Sequence, residues 1–158
     1  MTWHDARPWL ATAARLIVGG VWIAAGALKV GDLTASGRSV VAYRILPYDA
    51  SMSLGAVLPF LELALGVLLV LGLATRIAAA ASVVLFAVYI GGIASVWARG
   101  LSIDCGCFGT GGARTGDQAP QYALEILRDI ALLVVAGFLA LYPRSRVSLD
   151  GQLLEGAS

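Results

Sequence analysis

The chain has two cysteines and places them one residue apart, in the string Asp104-Cys105-Gly106-Cys107-Phe108-Gly109. A disulfide closed over a single residue must bring two alpha carbons to about 5.5 to 6 Å with awkward torsions, and Gly106 best accepts the backbone angles this demands. Phe108 and Gly109 complete the shaping of the loop. Strained, exposed disulfides are the labile or catalytic ones, so an oxidised Cys105–Cys107 pair would act as an oxidant of other thiols. Closing so short a loop yields little chain entropy, which weakens a structural purpose. Arg99 and Arg114 would favour the reactive thiolate and Asp104 would oppose it, without ranking the two sulfurs. Two other readings stay open at this point. The pair could be inert thiols shaping a turn, or half of an intermolecular metal site, although two ligands fall short of the four of a structural zinc. No metal is expected in the chain itself.

The elements that must hold this loop are membrane-like. Of 158 residues, 59% are hydrophobic and only 13% charged, against about 25% charged in soluble domains. The mean hydropathy of +0.83 agrees. A net charge of +1 and a lone His4 near the N-terminus leave no electrostatic footprint for nucleic acid. Four windows approach the ~20 apolar residues that a spanning helix needs, at 9–30, 54–74, 77–98 and 122–142. The third is free of charge, whereas the first holds Arg15 and Lys29, the second Glu62, and the fourth Glu125, Arg128 and Asp129. The first window is too long for a signal-peptide core, and Ala25-Gly26-Ala27 only faintly resembles a cleavage site. Pro59 and Pro120 are expected near helix starts, where a missing backbone donor is tolerated.

The expected fold is therefore an all-α membrane protein, a four-transmembrane-helix bundle forming one domain over 1–158. Thr75-Arg76 joins the middle pair of helices, and the long 1–2 and 3–4 loops, 31–53 and 99–121, form a cap on one side. Basic residues are balanced between the two sides, so they do not orient the chain. Disulfides persist outside the cytosol, which places the Cys-Gly-Cys cap extracytoplasmic and both termini cytoplasmic. Trp9, Trp97, Tyr122 and Tyr142 fall at window ends, as interfacial aromatics do. Gly19, Gly20, Gly26, Gly66, Gly72, Gly91 and Gly92 would let helices approach closely. The tail 145–158 carries no readable chemistry and is expected to be flexible.

The pattern resembles the MauE branch of the DoxX-like membrane proteins. The residues that carry the likeness are Arg15, Gly19-Gly20, Ala25 to Lys29, Tyr43 with Leu46-Pro47, Leu58 to Leu63, Arg99-Gly100, Cys105 to Gly109 and Arg128, over roughly 15–142. The Cys-Gly-Cys-Phe-Gly string with Pro-x-x-Glu in the second helix is the more specific part. The resemblance implies a four-helix protein of the bacterial inner membrane associated with redox work, typified by a factor for disulfide formation during maturation of a periplasmic enzyme. Wider relatives include subunits of thiosulfate:quinone oxidoreductase and partners of thiol-handling complexes.

Ionisable groups at membrane depth are functional candidates. Glu62 lies too deep for its short side chain to reach an interface, and is expected to face the interior. There it would move protons, hydrogen-bond a quinone, or pair with Lys29 or Arg128. Glu125 and Arg128, three apart, share a helix face below the cysteine loop, with Lys29 at the same level. Together these would form a polar floor under the disulfide, or, for Lys29 and Asp129, an interfacial anchor. Arg15 is expected to anchor the opposite side. The mechanism this suggests is exchange of the Cys105–Cys107 disulfide with an extracytoplasmic thioredoxin-like or other redox protein, electrons then passing to a membrane quinone. Outward flow of reducing equivalents would use the same residues. The alternative is a non-enzymatic subunit in the lipid bilayer that docks or assembles a redox enzyme complex.

Overall fold

A computed structural model describes residues 3–104, 112–113 and 119–142. Its elements in chain order are α1 (Trp3–Val30), α2 (Leu33–Ala42), α3 (Tyr48–Leu71), α4 (Thr75–Ala98), β1 (Ile103–Asp104), β2 (Gly112–Ala113) and α5 (Ala119–Leu141). Three helices are long and apolar enough to cross a membrane: α1 over Arg7–Val30, α3 and α4. The expected fourth window is indeed helical. However, α5 carries Glu125, Arg128 and Asp129 in its N-terminal half and is not among the three. Large apolar side chains such as Val57, Phe60, Ile77, Val84 and Val88 point outward from α3 and α4. Helices apolar on both their packed and their open faces suit a lipid surround, and the chain is a multi-pass membrane protein.

One core joins the four long helices, with Trp22 of α1, Leu69 of α3, Phe86 of α4 and Leu139 of α5 among its buried members. Helices α1 and α3 approach closely. A Cβ added at Gly66 would lie 2.8 Å from the Gly19 carbonyl oxygen, so only glycine fits there. Gly20 and Gly91 face open space, and Gly72 instead ends α3 in the left-handed conformation, at φ 71°. The turn to α4 thus runs through Gly72 to Ala74, and Thr75 and Arg76 already belong to α4.

The largest departure from the sequence reading is in 31–53, which contains the helix α2. Asp32 caps it by accepting from the Ala35 N–H at 2.8 Å. Its buried face is Ser36, Gly37 and Ser39, small residues that fit against α3 but read as loop by composition. As a result α3 starts at Tyr48, and Pro59 falls inside it. A proline there cannot donate to the carbonyl four residues back. That carbonyl, Gly55 O, accepts instead from the buried Ser36 hydroxyl at 2.6 Å, which fastens α2 to α3.

At the same end, β1 and β2 pair antiparallel, Ile103 with Ala113 and Asp104 with Gly112. β2 lies against α2. The Arg99 guanidinium donates to the Tyr43 and Arg44 carbonyls, tying the end of α4 to the end of α2. Tyr122 is not an interfacial aromatic but buried: its hydroxyl accepts from the Ile103 N–H at 2.8 Å and lies 2.9 and 3.0 Å from the Leu101 and Ile103 carbonyls. Trp9, Trp97 and Tyr142 are exposed, as expected at an interface.

Candidate functional site: a buried carboxylate at the end of an apolar slot

Cys105, Gly106, Cys107, Phe108 and Gly109 lie outside the described residues, as does the tail 145–158. The structure does fix what flanks the cysteine loop. β1 ends at Asp104 immediately before Cys105, and is held by Tyr122 of α5, while β2 rests on α2.

Beneath α2, between α1, α3 and α4, is a cavity of about 350 Å³. Its walls are mostly aliphatic, including Leu54, Leu58, Leu85 and Val88, and its polar lining comes from Lys29, Ser36, Ser39, Tyr43 and Tyr89. The volume is that of a small-molecule site, with few and convergent polar groups.

Glu62 stands behind this lining. It is fully buried, as its depth in the sequence required. Its Oε1 accepts from Lys29 Nζ at 2.6 Å and from the Tyr89 hydroxyl in a very short bond. Lys29 also lies 5.5 Å from the centre of the Tyr89 ring. The Lys29 side chain is only 10% exposed, so it does not snorkel to an interface. A buried carboxylate without a cation would cost several kcal/mol, roughly the amount that the pairing must offset. Two groups, from α1 and α4, are thereby locked to one carboxylate oxygen of α3. The other, Oε2, is buried and has no hydrogen-bond partner among the described residues.

On the far side of Lys29 and Tyr89 is a second, smaller cavity of about 10 Å³, which Trp22, Ala25, Arg128 and Asp129 also line. Arg128 pairs with its neighbour Asp129, at 2.8 and 3.0 Å. Asp129 is 1% exposed, which rules out the interfacial anchor. Glu125 accepts from Gln121 at 3.4 Å, one turn nearer the cysteine loop. Lys29, Glu62 and Arg128 therefore converge on one buried zone, with Glu125 at its edge. Arg15 does not belong to it. Nor does it anchor at a surface: it is 2% exposed, and its Nη2 donates to the Val70 carbonyl at 3.4 Å.

Sequence reasoning missed Tyr89, Trp22 and the serines of α2. For Tyr89 the signal was present, as a phenol in the middle of an otherwise charge-free window that must pack on the helix carrying Glu62. For Trp22, whose ring stacks on Phe86 at 4.5 Å and donates to Ser82 at 2.9 Å, nothing in the pattern set it apart from an ordinary core residue.

The profile of the family described as methylamine utilisation protein MauE matches residues 7–142. The chain is also similar to the methylamine utilization protein MauE of Paracoccus denitrificans, 31% identical over 153 residues, which span 96% of this chain and 78% of that protein. No solved structure matches.

Proposed function

The chain belongs to the MauE family, and on that footing we propose that it is a membrane thiol–disulfide oxidoreductase supporting disulfide formation in exported proteins. In this reading α5 is a fourth span, the hairpin end with α2 is the cap on the outer face of a bacterial inner membrane, and both termini are cytoplasmic. A reduced thioredoxin-like partner attacks the Cys105–Cys107 disulfide through a mixed disulfide, and leaves oxidised, with two thiols on this chain. A membrane quinone then accepts two electrons and two protons. The S–S bond re-forms, and both quinone carbonyls become hydroxyls.

The observation that carries this reading is the slot itself. A quinone offers a flat apolar ring and two acceptor oxygens. The cavity offers aliphatic walls and, at its inner end, the Tyr89 hydroxyl and a lysine with three N–H groups, of which the bond to Glu62 uses one. Glu62 orients Lys29 without itself lining the slot. The strand that follows the cysteine segment, β2, rests on α2, whose residues line this cavity.

The test is quinone reduction by the purified protein in nanodiscs, supplied with a reduced dithiol carrier protein. Turnover should be present in the wild type and lost in Cys105→Ser/Cys107→Ser with folding intact. Absence of wild-type turnover with every membrane quinone tried would remove the enzyme reading. Client oxidation in cells that survives the double serine change would leave docking of a redox complex as the role.

A further inference from the structure

Three carboxylate oxygens are buried and without a hydrogen-bond partner among the described residues: Glu62 Oε2, Glu125 Oε2 and Asp129 Oδ2. Buried polar atoms in native proteins are almost always satisfied, and where protein groups do not reach them an internal water does. The smaller cavity supplies the room. Its volume of about 10 Å³ is close to the lower limit for one water molecule, which also needs two to four polar partners. Lys29, Tyr89, Arg128 and Asp129 line it.

These groups are in series. Gln121, Glu125 and Asp129 are spaced by four residues and stack along one face of α5, beginning just after the segment that carries the cysteines. Asp129 meets the small cavity on one side. Lys29 and Tyr89 meet it on the other, and both are bonded to Glu62 and both line the slot.

We propose that Glu125, Asp129 and a water held between Asp129 and Tyr89 form a proton path from the cysteine-loop end of α5 to the Lys29–Glu62–Tyr89 cluster. The purpose of the path, though not its existence, rests on the quinone reading. Re-forming the disulfide releases two protons at the cap, while the quinone takes two up inside an apolar slot. One of these enters from solvent through Glu125, passes to Asp129 and the water, and reaches the inner quinone oxygen from the Tyr89 hydroxyl, which is reprotonated from behind; the other is one of the two that the thiols release, taken up at the outer quinone oxygen. Arg128 keeps Asp129 in place by its paired bonds and carries no proton itself.

Lys29 is the chain's only lysine, so labelling with 15N-lysine gives a single ammonium signal next to both cavities. The experiment measures exchange of its protons with water by NMR in nanodiscs. Asp129→Asn and Glu125→Gln should each slow the exchange at least tenfold. Ala25→Val, which fills the small cavity and leaves every charge in place, should do the same, while Arg15→Met, at a position that lines neither cavity, should not. Unchanged exchange in Ala25→Val and Glu125→Gln overturns the path, and Glu125→Gln, at a half-buried position, decides the matter should Asp129→Asn fail to fold. Slowed exchange in a protein that reduces no quinone leaves the path standing and removes only the quinone reading.

Discussion

Helix α1 buries two cations, Arg15 near its middle and Lys29 in its last turn, and the two are handled differently. Arg15 lies beside the buried core residues Ala11, Ala14 and Val18 and donates to the carbonyl of Val70, next to the last residue of α3. That carbonyl belongs to the four that a helix leaves unpaired at its C-terminus, where the dipole also favours positive charge. Lys29 is bonded to a buried carboxylate, with a cavity in front and a smaller one behind. One cation closes a helix end. The other holds a carboxylate beside open volume, and chemistry needs volume that packing would otherwise remove.

The change with the largest expected effect on this contrast is Glu62→Ala. It leaves Lys29 buried and unpaired, and should cost about 3 to 5 kcal/mol, read as a lowered midpoint of thermal unfolding in detergent. The double change Lys29→Met/Glu62→Leu removes both charges and should recover most of that stability while losing quinone binding. If the double variant is as unstable as the single, the pair is not what strains this end. Next comes Tyr122→Phe. It frees the Ile103 N–H and should cost about 1 to 3 kcal/mol, the penalty of a buried donor left unmade, with faster amide exchange confined to β1. Smallest is Arg15→Met, an apolar replacement of similar length, which should change stability by about 1 kcal/mol or less and leave quinone reduction intact. A loss of turnover in Arg15→Met equal to that in Lys29→Met would show that the two cations are not functionally distinct.

Much of this was legible in the sequence because lipid leaves so few options. Uninterrupted apolar windows can only be helices, and three of the four long helices match them to within a few residues at the ends facing away from α2. The interior position of Glu62 followed from the shortness of its side chain. What could not be read was whatever depends on which residues face one another. Ser36, Gly37 and Ser39 look like loop, because a helix packed against another through glycine and serine has no apolar stripe to announce it. The bond between Arg128 and Asp129 could not be read for a related reason. Spacing along a helix puts Glu125 on the same face as Arg128, but the adjacent Asp129 is held by two bonds to its guanidinium. Tyr122 counted as an interfacial ring until the folded loop supplied partners for its hydroxyl.

The serine that occupies the carbonyl released by Pro59 has a consequence for how such chains diverge. Neither residue makes sense alone: without the proline the carbonyl would be engaged within its own helix, and without the serine it would be stranded. Double-mutant analysis should therefore find the two costs strongly non-additive, and across descendants the two positions should be gained or lost as a couple.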